Sequence, residues 1–391
     1  MATCNSKKMR ENIRLQESFK GMSRGKAATC RPNQNRVSSV AINGRFFSNQ
    51  AHSQPPLRAS FGIAFDIDGV LLRGETPVGG SPQALRRLYD DSGTLRIPYV
   101  FLTNGGGVPE SKRAIELSKL LSVPVLPSQV IQGHLPFKQL AERFGNELVI
   151  AVGKGEPAAV LSEYGFKNVL AIDEYASYFE HIDPLEKFKN WSDKPDYEKS
   201  TFRASDMKMD PCLERVQAVF IVSDSVDWSR DIQVLCDILS TGGVPGREIS
   251  SQPPLYFATD DLCYQGLFPM ERLGMGAFKI ALESIYNRVY PHPLDYTSYG
   301  KPNPSVFKNA ENVLMEVAAS SNGLKTLYMI GDNPHVDIKG ARQAGHPWFS
   351  ILTRTGVFKG KENHSLYQAD LVVDTVEEAV HYILTKETLQ Y

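Results

Sequence analysis

Short apolar runs alternate with helical patterns at both ends of this chain, and each run gives way to polar residues. Phe61–Phe65 is apolar at consecutive positions, partly aromatic and bounded by a polar lead-in, which predicts a buried strand. Ser81–Tyr89 predicts a helix, with Ser81 as its N-cap and Pro82 at the first helical position. Ile97–Leu102 predicts a second buried strand and Pro109–Leu121 a second helix. Strand, helix, strand, helix in this order predicts a parallel sheet with helices on its faces. The rhythm returns late: Pro304–Ala318 and Asp337–Ala344 read as helices, and Leu327–Ile330, Trp348–Leu352 and Leu371–Val373 as strands. Together these blocks predict one doubly wound α/β sheet built around the first strand.

The stretch between the two blocks has its own βα pattern. Leu148–Val152, Val169–Ile172, Ala218–Val222 and Leu255–Ala258 read as strands, with helices over Glu156–Tyr164 and Ser229–Leu239. This predicts a second α/β domain inserted into the first, with a core of 59–104 and 275–391 and an insertion of 105–274. Within the insertion, residues 174–210 are charged, polar and interrupted by Pro184 and Pro195, which predicts a long surface excursion.

Charge changes the picture at the N-terminus. Residues 1–60 carry eleven Lys or Arg and two Glu, a local +9, against a net charge of −1 for the whole chain. Residues 1–58 lack sustained apolar periodicity and a secretory apolar segment, so they read as an organelle transit peptide. Arg45-Phe46-Phe47-Ser48 resembles a mitochondrial processing site, while a plastid address or a cytoplasmic protein with a basic tail are the alternatives. The acidic remainder argues against nucleic-acid binding, and no apolar run is long enough to span a bilayer. The five cysteines show no metal-type pairing.

Four polar elements fall at predicted strand ends or helix starts, where an open parallel sheet binds ligands. They are Asp66 with Asp68, Thr103 with Asn104, Lys301, and Asp332 with Asp337. Singly, each has an ordinary structural reading: a turn, an N-cap, a solvated lysine, a helix flank. In this order they resemble the haloacid dehalogenase superfamily of Mg2+-dependent phosphohydrolases, whose signature is Asp-x-Asp, Ser/Thr, Lys and an acidic pair. Gly331-Asp332-Asn333-Pro334-His335-Val336-Asp337-Ile338 fits the last motif of that signature.

The resemblance implies a Rossmannoid core with Asp66 as nucleophile and Asp68 as proton donor and later base. It implies that Thr103, Asn104 and Lys301 hold phosphate, and that Asp66, Asp68 (through its carbonyl) and Asp332 bind Mg2+, with Asp337 supporting. An insertion between Asn104 and Lys301 resembles the C2 cap of class IIA. Asp224-Ser225-Val226-Asp227-Trp228 and Gly331-Asp332-Asn333-Pro334 more narrowly resemble the mitochondrial cat-eye-syndrome-critical-region hydrolase-like branch. The expected partner is a small phosphate ester from nucleotide, sugar-phosphate or glycerophospholipid metabolism, with Asp227 and Trp228 as specificity contacts. Self-association into a homo-oligomer through the cap is a further expectation. The competing reading is a mitochondrial scaffold or regulatory protein that kept the fold and shed activity.

Overall fold

Side-chain alternation along three strands fixes the core. The computed structural model describes residues 59–189, 210–318 and 323–388. In chain order the strands are β1 (Phe61–Phe65), β2 (Leu72–Arg73), β3 (Thr76–Pro77), β4 (Tyr99–Thr103), β5 (Val130–Gln132), β6 (Leu148–Val152), β7 (Asn168–Ala171) and β8 (Ala218–Ile221). They continue with β9 (Leu255–Phe257), β10 (Cys263–Tyr264), β11 (Arg272–Leu273), β12 (Thr297–Ser298), β13 (Thr326–Gly331), β14 (Trp348–Thr353) and β15 (Leu371–Val373).

Six strands form one parallel sheet in the order β15-β14-β13-β1-β4-β5. Ile63, Phe65, Tyr99, Phe101, Tyr328 and Ile330 face one side, against the helices Glu110–Leu121 and Val376–Thr388. Ala64, Val100, Leu102, Leu327 and Met329 face the other, against Pro304–Ala318 and Lys339–Ala344. Burial on both faces explains why these strands read as unbroken apolar runs instead of alternating ones.

Five strands form a second parallel sheet in the order β12-β9-β8-β6-β7. Its core is aromatic: the Phe220 ring stacks on Tyr256 at 5.2 Å and meets Phe137 and Phe166 edge-on at 5.1 Å. This is the inserted cap, and both sheets belong to one compact unit.

Both cap boundaries differ from the expected ones. Residues 105–132 belong with the core: Ala114, Leu117 and Leu121 pack on the first sheet, and β5 pairs with β4. Residues 275–299 belong with the cap, because Phe278, Leu282 and Tyr286 of the helix Met275–Val289 join the cap core and β12 pairs with β9. The chain therefore crosses at about Gly133 and about Gly300. The start of the excursion also differs. Ile172–Ala176 is helical, and Tyr175 and Phe179 are buried in the cap core, their apolar faces outweighing the charged neighbours. The rest of the excursion, 190–209, and the leader 1–58 lie outside the described residues. The first core helix is Ser81–Arg86 with Gly80, not Ser81, at its N-cap; the Ser81 hydroxyl instead donates to the Leu71 carbonyl at 2.8 Å.

Phe220→Ala should lower the unfolding free energy by about 3–5 kcal/mol, because it empties the centre of the cap's aromatic cluster. Urea denaturation checks this, and a loss below about 1 kcal/mol would contradict the packing described.

Candidate active site

Strand order reverses between β1 and β13, since β4 and β5 continue on one side and β14 and β15 on the other. A crevice opens at such a point beyond the carboxyl ends of the strands. Asp66 follows β1 and its N–H donates to the Ile330 carbonyl of β13 at 2.9 Å. Thr103 ends β4, and Asp332 follows β13. Lys301 lies where the chain returns from the cap. The topology thus collects all four sequence-predicted elements at one place.

Residues two apart in a strand would point to the same side, but a turn and not a strand brings Asp66 and Asp68 into this crevice. The strand ends at Phe65, and the chain then turns tightly, with the N–H groups of Leu71 and Leu72 donating to the Ile67 carbonyl at 2.9 and 3.0 Å. Gly69 makes this turn at φ +87°, and a side chain there would strike the Asp332 carboxylate.

The Lys301 ammonium is buried at 1% exposure and donates to Asp66 Oδ1 and Asp337 Oδ1, each at 2.7 Å. Asp66, Asp332 and Asp337 each offer a carboxylate oxygen, all within 4.8 Å of one another. Asp332 Oδ2 accepts the Val357 N–H at 2.6 Å, and Asp337 Oδ2 accepts the Asn333 N–H at 3.0 Å. Gly356 packs so closely on Asp332 that a Cβ there would overlap its carboxylate.

Three carboxylates around one ammonium would carry two uncompensated negative charges if all were ionised. Burial pushes the Asp66 carboxyl well above the usual range, and Asp337 and Asp332 add to this despite Lys301. Burial and then Asp337 push Asp332 up to about 7. Lys301 moves up as well: burial alone would lower it, but Asp337 and Asp66 outweigh that. Hard oxygen donors, strained by mutual repulsion and short of two positive charges, fit a divalent cation of the Mg2+ or Ca2+ type. Asp337 has both oxygens engaged, so it anchors Lys301 while Asp66 and Asp332 face the centre.

Thr103 Oγ1 accepts the Gly105 N–H at 2.9 Å. The side chain of Asn104, a residue expected to hold phosphate, joins neighbouring segments and leaves that expectation for its backbone N–H untouched. Its amide donates to Asp261 Oδ1 of the cap at 2.7 Å and to the Lys301 carbonyl at 3.0 Å, while its oxygen accepts the Lys301 N–H at 2.8 Å. It clasps two core segments and the cap together. Burial raises Asp68, with the Arg113 guanidinium and the Lys154 ammonium countering most strongly.

Asp227 and Trp228 do not reach the crevice. Asp227 caps the helix Trp228–Ser240 by accepting the Arg230 N–H at 3.2 Å, and it pairs with Lys189. Trp228 packs edge-on against Phe278 at 5.5 Å. The cap residues that line the crevice instead include Lys154, Asp224, Asp261, Cys263 and Tyr264. Asp224 and Lys154 follow the apolar runs of β8 and β6, so the strand-end rule that finds Asp66 also finds them.

Residues 63–167 match the family described as haloacid dehalogenase-like hydrolase, and residues 298–379 match one described as HAD-hydrolase-like. A mitochondrial hydrolase of Saccharomyces cerevisiae is 32% identical over 351 residues, covering 83% of this chain and 95% of that one. The chain belongs to the haloacid dehalogenase-like hydrolases. It is an enzyme of that family. A cardiolipin synthase (CMP-forming)/mitochondrial hydrolase fusion protein of Schizosaccharomyces pombe is 35% identical over 353 residues, covering 88% of this chain. This hydrolase spans 56% of that fusion protein's length. Its fold is similar to the crystal structure of a glycerol phosphate phosphatase from Mycobacterium tuberculosis in complex with magnesium. That likeness has a TM-score of 0.52 and 17% identity, covering 83% of this chain and 76% of the other.

Asp332 titrates at about 7 in the fold but at about 4 in an unfolded chain. A raised acid stabilises the fold while protonated, so the metal-free hydrolase should lose stability as pH rises between these values. Saturating Mg2+ should therefore add more stability at about pH 8 than at about pH 5, by ~2 kcal/mol or more. Thermal unfolding with Mg2+ against chelator measures the difference, and equal gains at both pH values would count against a cation among these carboxylates. Gly356→Ala should abolish the gain while leaving the metal-free transition cooperative.

Proposed function

We propose that this chain is a mitochondrial Mg2+-dependent phosphatase that hydrolyses a small phosphorylated metabolite through an aspartyl-phosphate on Asp66. The observation that carries this is Lys301 bridging Asp66 and Asp337 beside Asp332, at the crevice where the core sheet reverses order. Family membership, and the phosphatase named among its structural neighbours, support the same chemistry.

A phosphoryl ester needs an aligned nucleophile, neutralised oxygens and a proton for the leaving group. Asp66 attacks phosphorus with one carboxylate oxygen, while Lys301 holds its other oxygen and favours the ionised carboxylate against the burial that disfavours it. Bound Mg2+, held by Asp66, Asp332 and the Asp68 carbonyl, would neutralise the non-bridging oxygens. Thr103 hydroxyl donates to the transferring group. Asp68, whose carboxyl burial keeps raised, delivers its proton to the leaving oxygen and then takes one from the water that attacks the aspartyl-phosphate, releasing inorganic phosphate and the Asp66 carboxylate. Asp337 orients Lys301, and Asn104 fixes the Lys301 backbone, so both are positioning residues. The cap excludes water from the reactive ester.

The names of the two yeast relatives support a mitochondrial setting, and fusion to a cardiolipin synthase in one of them favours glycerophospholipid over nucleotide metabolism. Among the described residues no helix is long and apolar enough to cross a membrane.

Asp66→Asn should reduce kcat about 10³-fold or more on every phosphate ester that the native chain hydrolyses with Mg2+. A phosphate-release assay over a panel of esters decides this. Equal residual activity in both proteins would favour the non-enzymatic scaffold.

A further inference from the structure

The cap repeats the topology of the core. Its strand order also reverses, between β6 and β8, because β7 lies on one side and β9 and β12 on the other. Residues just beyond those two strands occupy the same kind of crevice position as Asp66 and Asp332 do in the core. They are Lys154 and Asp224, and both line the crevice over Asp68.

The two loops are stitched to each other. The Lys154 N–H donates to the Asp224 carbonyl at 2.8 Å, and the Ser223 hydroxyl donates to the Lys154 carbonyl at 2.7 Å. The side chains meet as well, Lys154 Nζ lying 2.8 Å from Asp224 Oδ2 and 5.4 Å from the centre of the Tyr264 ring. Side-chain exposures of 51% and 29% show that the pair is only partly covered, and both residues line the crevice. As an exposed ion pair this contributes little to stability. Its placement matters more.

We propose that Lys154 and Asp224 form the leaving-group subsite of this hydrolase, built for a phosphate ester of a vicinal polyol such as glycerol or a sugar. The proposal rests on the phosphatase reading and names its substrate class. The leaving oxygen is the one nearest Asp68, so the atoms beyond it extend toward the cap pair. There they meet a donor and an acceptor one hydrogen-bond length apart. Two neighbouring hydroxyls match this, one accepting from the Lys154 ammonium and the other donating to the Asp224 carboxylate. The pair has no net charge, and Asp68 and Asp261 lie close by. A leaving group bearing its own carboxylate would meet Asp224 as a like charge and be rejected. An alkyl leaving group would leave both partners unsatisfied.

The test uses the full chain with Mg2+, three variants and three esters: glycerol 3-phosphate, 2-phosphoglycolate and propyl phosphate. Asp224→Asn removes the repulsion and leaves Lys154 unbalanced. The glycerol 3-phosphate to 2-phosphoglycolate ratio of kcat/KM should then fall about tenfold or more. Lys154→Met should cut the glycerol 3-phosphate to propyl phosphate ratio by about tenfold, and Lys154→Arg should largely restore it. Calorimetric binding of the same esters, with each variant placed in an Asp66→Asn background, repeats the comparison without turnover. Ratios within about twofold of the native chain in both variants overturn the proposal, as does failure of all three esters to bind. Selective binding without hydrolysis by the native chain would keep the subsite and defeat the phosphatase reading instead.

Discussion

Everything in the crevice depends on one buried ammonium. Lys301 is the cation that lets Asp66 and Asp337 lie together inside the fold, where bare carboxylates would repel each other and lose hydration. Its partners come from opposite halves of the sheet, one beyond β1 and one beyond β13, so the pair also records that those halves have closed correctly. Removing it would strand two acids in a dry site; removing either acid would leave a charge with too few partners. The remaining negative charge, which one lysine cannot cancel, is what suits the site to a cation.

The fold supplies this arrangement by repeating a single device. In each sheet the crossing helices run to both sides of a central strand pair, and the gap left between them collects the loops that follow. The core gap holds carboxylates and a lysine suited to phosphorus chemistry. The cap gap holds one ammonium and one carboxylate suited to recognition. On the proposed reading, reaction and selection are built on two separate frameworks.

Much of the core site was legible in the sequence because Asp66, Thr103 and Asp332 stand at the ends of conspicuous apolar runs. Asp66 after Phe61–Phe65 and Asp332 after Thr326–Gly331 need no tertiary information beyond the parallel order. The cap boundaries were not legible, since Val130–Gln132 and Thr297–Ser298 are too short and too polar at their ends to announce which sheet they join. What the Asn104 side chain does was not legible for a different reason: its amide finds Asp261, a residue 157 positions away. Asp227 and Trp228 were expected as specificity contacts, yet helix capping and packing engage them, while the plainer Asp224 three residues earlier lines the crevice.

The Asn104 clasp bears on how such an enzyme could be re-engineered. One amide ties the cap residue Asp261 to the backbone of Lys301. Lid and reaction centre thus share a mechanical joint, and the lid is no detachable accessory. Excising the cap to obtain an open, undiscriminating catalyst would loosen the lysine as well. A transplanted cap would have to bring a carboxylate to the same spot. The roof of this scaffold can be redrawn only around that latch.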